Sequence, residues 1–272
     1  MTAPPESTAT PWSGGQVTAH ATCVLAPNPG PMTLDGTNTW VLMAPGADEA
    51  IVIDPGPLDE THLAAVADLV ASRGARVRET ILTHAHLDHS EGAGRFAELT
   101  GSRIRPVGTG HDDLTDGSLV SVRGLDLRVV ATPGHTRDSL SFALEADHAL
   151  LTGDTVLGRG TTVVAHPDGE LTAYLSSLER LRELTGNGEV TRILPGHGPT
   201  VPDAAAMVEF YRVHRHERLE QVRQALADGA AGEPDPVEGV LRRVYAEVPA
   251  SVWPAARMSI RAQLDYLSAR GA

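Results

Sequence analysis

Thr83-His84-Ala85-His86-Leu87-Asp88-His89 places three imidazoles and one carboxylate within six residues, directly behind residues 77–82, an apolar run that reads as a β-strand. Imidazole and carboxylate are the ligands that a borderline or hard divalent ion takes where no thiolate is on offer, and the chain has a single cysteine, Cys23. Side chains on a short turn after a strand fan outward. His84 and His86, two apart, can therefore serve one ion while Asp88 and His89 serve a neighbouring position. On a helix the ligands would stand at i and i+4, and only His84 and Asp88 would pair. One segment can thus seed two metal sites.

A histidine-rich surface loop is the plain alternative in a chain with 12 His. Matching donors farther along weigh against it. His135 stands in Thr132-Pro133-Gly134-His135-Thr136, Asp154 in Thr152-Gly153-Asp154-Thr155, and His197 in Leu194-Pro195-Gly196-His197-Gly198-Pro199. Each follows a strand-like apolar run, at residues 127–131, 149–151 and 193–194, and each is flanked by Gly or Pro. That is the setting of loops at strand ends, where a rigid scaffold presents chemistry. Asp54, in Asp54-Pro55-Gly56 after residues 50–53, shares the setting; an ordinary turn aspartate is its plain reading.

On these residues the chain resembles the metallo-beta-lactamase superfamily, whose signature is a His-x-His-x-Asp-His run followed by a separate His, Asp and His. The resemblance covers most of residues 17–200. It implies an α+β fold, a four-layer αββα sandwich. It further implies that His84, His86 and His135 hold one metal ion, that Asp88, His89 and His197 hold a second, and that Asp154 bridges the two. Such a pair of ions would hold a bridging water, lower its pKa toward neutrality and stabilise attacking and leaving oxygens. Asp88 takes the catalytic role, orienting the water or passing a proton to the leaving group. Asp54 is left to accept the far N–H of a ligand histidine and fix its tautomer. Zinc is the expected metal, and iron or manganese accept the same ligands.

Composition agrees. A chain of 272 residues suits one large domain, or a large plus a small one. Hydrophobic residues at 41% suffice for a core, and with aromatics at only 4% Leu, Val, Ile and Ala must fill it. All 22 cationic side chains are Arg, which reflects coding bias more than function. The lone Cys23 excludes an internal disulfide, fits a reducing compartment and reads as a small buried residue on an early strand. Residues 1–14, rich in Thr, Pro, Ser and Gly, read as a disordered lead-in and not as a signal peptide. No run reaches the roughly 18 apolar residues of a membrane span. The expected location is cytoplasmic, with no membrane partner.

Residues 16–25, 39–43, 50–53 and 77–82 read as strands, and more strands lie between 119 and 151. Residues 61–72 and 171–184 read as amphipathic helices. Residues 92–99 open a further helix directly after the histidine run, its N-terminus favouring an anion. A composition shift near Pro202 divides a catalytic domain, 15–202, from a mostly helical domain, 203–272. The latter carries helices at 204–227, 236–248 and 254–269. Residues 237–270 resemble the small winged-helix-like cap of one branch of the superfamily, the beta-lactamase-like-protein-2 group. That branch also shares Asn28-Pro29-Gly30-Pro31, Gly36-Thr37-Asn38-Thr39 and Gly158-Arg159-Gly160-Thr161-Thr162, and Trp40 stands where it leads one to expect Tyr.

The substrate is less defined. Animal members of that branch act as endoribonucleases, so the resemblance places hydrolysis of short single-stranded RNA first. Charge argues the other way: residues 1–202 carry 13 Arg against 25 acids and the remainder 9 against 10, whereas a general nucleic-acid binder presents a positive excess. The alternative is an acyl hydrolase, a thioesterase or a glyoxalase-II-like enzyme, the latter weakened by the absence of a Lys/Arg-rich grip. A metal-binding scaffold without catalysis comes last, because no ligand position is lost. Asn38 is a candidate above the metals. Thr161 and Thr162 are candidates to donate to a phosphate. His214 and Arg215 are candidates to reach from the cap toward an anionic substrate. A turn, a strand pair and a solvated helix face are the respective plain readings. The isolated His20, His62, His111, His148 and His166 read as surface or satisfied residues. The cap and an exposed helical hairpin also admit a homodimer.

Overall fold

The structure is a computed structural model that describes residues 11–105 and 114–271. His111 and most of the expected lead-in therefore fall outside the described residues. Trp12, within that lead-in, is placed: its indole Nε1–H donates to Asn38 Oδ1 at 2.7 Å.

Two mixed sheets face each other. One runs in chain order as β1 (Gly15–Gln16), β2 (Ala21–Leu25), β3 (Asn38–Leu42), β4 (Glu49–Ile53), β5 (Arg76–Ile81) and β6 (Arg103–Arg105). The other contains β7 (Leu119–Val122), β8 (Leu125–Ala131), β9 (Leu140–Leu144), β10 (Ala149–Gly153) and β11 (Arg192–Pro195), in the spatial order β11-β10-β9-β8-β7. Side chains alternate across a strand, and the central strands are apolar on both faces. Trp40, Leu42, Ile51 and Ile53 join Leu127, Val129, Phe142, Leu144 and Leu151 in the core between the sheets. Val41, Ala50 and Val52 point outward under α1 (Glu60–Ser72) and α3 (Ala93–Thr100), meeting Leu63, Val66, Val70 and Phe96. Val130, Leu150 and Ile193 point outward from the second sheet against α4 (Leu171–Gly186) and α5 (Ala204–Ala227). This is the four-layer αββα arrangement. Each fully buried Leu, Ile or Phe contributes about 1.5–3 kcal/mol, so burial on both faces fixes strand register.

Two local expectations are corrected. Residues 16–25 are not one strand, because Thr18 turns the chain: its hydroxyl accepts from the Ala21 N–H at 3.0 Å and bonds Asp147. The helix expected at 92–99 is preceded by a single helical turn, α2 (Leu87–Ser90). The Gly92 N–H donates to Gly56 O at 2.9 Å, so that amide is not free for an anion.

Beyond β11, α5 is followed by α6 (Pro236–Val244) and α7 (Trp253–Ser268). Asp203 caps α5 by accepting from the Ala206 N–H, and Asp235 caps α6 by accepting from the Val237 N–H. Met207, Val208, Tyr211 and Val222 of α5 share a continuous core with Leu178 of α4, Val240 of α6 and Ile260 of α7. No helix among the described residues is long and apolar enough to cross a membrane.

Candidate metal centre and adjoining cavity

Seven donors converge at one edge of the sandwich. The parallel pairs β4–β5 and β10–β11 send their C-terminal ends to this edge, and the loops that follow carry Asp54, the run from His84 to His89, Asp154 and His197. His135 follows β8. The ends of the two sheets are tied together there. Leu140 N–H donates to Thr83 O at 2.8 Å, Asn38 N–H to Gly196 O at 2.8 Å, and Trp40 Nε1–H to Pro195 O at 3.0 Å. Gly153 makes the close approach feasible, since a Cβ there would lie 2.6 Å from Thr83 Oγ1.

Ring nitrogens of His84, His86 and His135 gather in one group: His84 Nε2 and His135 Nε2 each lie 3.1 Å from His86 Nδ1. A second group forms from His89 Nε2, His197 Nε2 at 3.2 Å from it, and Asp88 Oδ2 at 3.2 Å from His197 Nε2. Asp154 lies between the groups, with Oδ1 3.5 Å from His89 Nε2 and Oδ2 3.5 Å from His197 Nε2 and 3.7 Å from His135 Nε2. An ion held tetrahedrally at about 2.0–2.1 Å spaces its ligands about 3.3–3.4 Å apart, so both groups have the dimensions of metal-binding edges. Asp154 Oδ1 is buried with no hydrogen-bond partner, a condition a cation would relieve. The donor set is mixed nitrogen and oxygen, which suits zinc, iron or manganese.

The rings are oriented from behind. His89 Nδ1–H donates to Asp54 Oδ2 at 2.9 Å, His135 Nδ1–H to Val163 O at 2.6 Å, and His197 Nδ1–H to Gly36 O at 3.1 Å. Thr83 Oγ1 donates to Asp54 Oδ2 at 2.7 Å and accepts from His84 Nδ1–H at 2.9 Å. These acceptors place the proton on Nδ1 and leave Nε2 as the ligand atom of four rings. Asp54, 1% exposed and at φ +51°, also accepts the Thr83 N–H through Oδ1 at 2.8 Å. It therefore steers His89 directly and His84 through Thr83. Nothing in the residue pattern marks Thr83 for this task, and backbone acceptors such as Gly36 O and Val163 O carry no residue-type signal.

Charges sort within the cluster. Burial pushes the Asp154 carboxyl up, but His197 and His89 beside it prevail and hold it well below the usual range. Burial lowers His89, yet Asp154 and Asp54 raise it well above the ordinary imidazole value, and Asp154 and Asp88 raise His197. Burial dominates at His84 and His135, which are lowered. A bound cation competes with protons for the Nε2 atoms of these imidazoles, most strongly at the raised His89 and His197, so metal uptake is expected to release protons and affinity to fall as pH falls. Calorimetric titration in buffers of different ionisation enthalpy checks this, and an apparent enthalpy independent of buffer would contradict it.

Gly196 supplies a second expectation. A Cβ there would lie 2.5 Å from Asp154 Oδ1, 2.8 Å from His89 Cε1 and 3.0 Å from the Gly153 backbone carbon at the end of β10, so Gly196→Ala displaces two donors and crowds one strand end, with the sheet cores untouched. Misplacement on that scale costs on the order of a hundredfold in turnover. Native circular dichroism with metal content below that of the wild type is the expected signature, and full metal content with full turnover would refute it.

Against the cluster lies a cavity of about 340 Å³ whose wall includes His135 and Asp154, at the small end of ligand pockets, which run from about 300 to 1,000 Å³. Met32, Leu34, Leu157, Val163, Val248 and Val252 give it a largely apolar lining, and Thr161, His214, Arg215 and Arg218 add polar groups. His214 and Arg215 are thus not a solvated helix face. Burial, with the charges of Arg215 and Arg218, pushes the His214 imidazole down to about 4, so it is neutral at pH 7. Thr162 is buried, and its hydroxyl donates to Asp154 O, so it is spent on the backbone and not free for a phosphate. Asn38 is corrected as well. It is fully buried at the start of β3, its side-chain amide donating to Pro195 O and Gly198 O at 2.9 Å each, and it braces the His197 loop instead of facing a substrate. Cys23 is buried on β2 with its thiol pushed up to about 12 by burial.

Comparison with known proteins follows the same lines. Residues 32–117 and 105–197 match the metallo-beta-lactamase superfamily, and residues 237–272 match the beta-lactamase associated winged helix domain. A beta-lactamase-like protein 2 homolog of Caenorhabditis elegans is 33% identical over 261 residues, spanning 92% of this chain and 84% of its own. An atrochrysone carboxyl ACP thioesterase of Aspergillus fumigatus is 35% identical over 247 residues, spanning 83% and 74%. Among solved structures, a beta-lactamase domain protein from Burkholderia ambifaria superposes with a TM-score of 0.79 at 22% identity, over 99% of this chain and 92% of that one.

Proposed function

The chain belongs to the metallo-beta-lactamase superfamily, a family of hydrolases, and on that footing we propose that it hydrolyses acyl thioesters with two divalent ions, zinc first, at the His/Asp cluster. His84, His86 and His135 would hold one ion, Asp88, His89 and His197 the other, and Asp154 both. The observation that carries the substrate class is the largely apolar cavity walled by His135 and Asp154. A scissile carbonyl at the cluster would have its acyl group in that cavity. The thioesterase relative supports the same class.

Bound metals supply Lewis acidity, polarising a carbonyl and lowering the pKa of water toward neutrality. The remaining steps fall to the protein. Asp88 Oδ2 bonds His197, which lowers the Asp88 carboxyl against the opposing effect of burial, so it is a carboxylate at pH 7. With its side chain 30% exposed, it is the most open acid of the cluster and can accept the proton of the attacking water. The new C–O bond forms as the C–S bond breaks, and Asp88 returns the proton to the departing thiolate.

Hydrolysis of short single-stranded RNA, the first expectation from the sequence resemblance, becomes the second reading. Arg215 and Arg218 in the wall, together with the winged helix, favour it; the apolar lining and the net charge of −13 argue against it. Purified protein loaded with zinc or manganese should be offered an acyl thioester and a short RNA under one set of conditions. Thioester turnover that disappears in Asp88→Ala is the expected result. RNA cleavage lost in the same variant, without thioester turnover, would overturn it.

A further inference from the structure

We propose that the cavity selects acyl groups bearing a second, remote carboxylate, and that Arg215 is the residue that recognises it. The proposal rests on the acyl-hydrolase reading and deepens it. Arg215 lies in the middle of α5 and is 4% exposed. One nitrogen of its guanidinium donates to Thr162 O, and the group stacks over the Tyr174 ring with its carbon 4.9 Å from the centroid. Its Nε is buried without a hydrogen-bond partner, and no carboxylate pairs with it among the described residues.

The absence of a carboxylate is selective. On the same helix Arg212 pairs with Glu179 and Glu209, and Arg223 with Glu220. Arg159, on the cavity wall, pairs with Asp35. A chain this rich in acids supplies counter-charges readily, yet among the described residues the two arginines of α5 that line the cavity receive none. Arg218 bonds Gln221 Oε1 and Val244 O and stacks on Tyr245. A buried guanidinium without an anion is costly unless a ligand completes it, and its planar fork matches a carboxylate. Beside it, His214 Nδ1 is also buried without a partner.

One small cavity of about 340 Å³ is lined by His135 and Asp154 of the cluster and by Arg215, and Thr162, whose hydroxyl bonds the Asp154 main-chain carbonyl, also accepts from Arg215 through its own carbonyl. A scissile carbonyl at the cluster and a carboxylate at Arg215 in a cavity of that size leave room for a short apolar spacer, as in half-thioesters of small dicarboxylic acids.

The test uses thioesters of glutaric acid and of its monomethyl ester on the uncharged carrier N-acetylcysteamine, offered to the metal-loaded, full-length protein. The free acid is expected to have the higher kcat/KM by about tenfold or more, expressed in KM, as for a charge-assisted hydrogen bond. In Arg215→Met the ratio between the two esters collapses toward one, and Arg215→Lys restores part of it. Because Arg215 is buried and the variants can lose fold, a second measurement uses the wild type: calorimetric binding of monomethyl glutarate, which keeps one carboxylate, against dimethyl glutarate, which has none, with the monomethyl ester the tighter. Equal handling of acid and methyl ester in both measurements overturns the proposal. So does a preference that appears only when the methyl ester is carried on phosphopantetheine, which would assign the anion to the carrier. Arg215-dependent binding of monomethyl glutarate without any thioester turnover would sink the acyl-hydrolase reading and leave only carboxylate recognition by Arg215 standing; turnover without the preference would overturn this proposal and leave the acyl-hydrolase reading intact.

Discussion

Asp154→Ala is expected to abolish hydrolysis, lowering kcat/KM by roughly a thousandfold or more, since a bound ion is worth several kcal/mol of transition-state stabilisation and each 1.4 kcal/mol is about tenfold. The reason is position. Its two oxygens face His89, His197 and His135 at 3.5–3.7 Å, so one substitution removes a donor from both metal groups. Metal analysis of the purified variant should find at most one ion per chain. The charge balance shifts as well: His89 and His197 owe their raised values in part to Asp154, and proton release on metal uptake should shrink. A variant that retains two ions and normal turnover would disprove the bridging assignment.

Asp54→Ala should act through the fold as much as through the metal. Its carboxylate accepts the Thr83 N–H, the Thr83 hydroxyl and the His89 Nδ1–H, all in the interior. Truncation leaves those donors unsatisfied, at about 1–3 kcal/mol for each buried group. A net loss of about 3–4 kcal/mol, or roughly 10 °C in melting temperature for a protein of this size, is expected. Metal affinity should weaken about 10–100-fold, as for other groups that orient ligand histidines. Asp54→Asn should fall between, because Asn tolerates the positive φ but turns an amide N–H toward a donor. An unchanged melting temperature together with unchanged metal affinity in Asp54→Ala would remove Asp54 from this role.

The His/Asp cluster was legible in the sequence because its chemistry is local. Four of its donors lie within six residues, and the other three stand on Gly/Pro-flanked loops after apolar runs. The layers were legible too, since strands apolar on both faces and amphipathic α1 and α4 leave few alternatives. What resisted was whatever depends on contacts between distant segments. Gly36-Thr37-Asn38-Thr39 reads as turn chemistry or as a substrate loop, and nothing local says that Asn38 reaches Pro195 and Gly198 instead. The cavity is assembled from residues 31–34, 157–163, 214–218 and 245–259, whose adjacency has no periodic signature. His214 and Arg215 pass for a solvated face until the segment from Tyr245 to Ser259 is laid beside them.

The core shared between α5 and the second sheet bears on how the specificity of such an enzyme can be changed. Arg215 lies on the same helix as Tyr211, whose hydroxyl accepts the Leu157 N–H at 2.9 Å inside that core. A mutation that retunes recognition from α5 therefore risks the scaffold, and drift at those positions should be slow. Val248 and Val252 reach the same cavity from the segment between α6 and α7, and neither is among the buried core residues. A directed-evolution library confined to those two positions should exchange acyl size at little loss of stability, whereas one aimed at α5 should yield mostly unfolded clones.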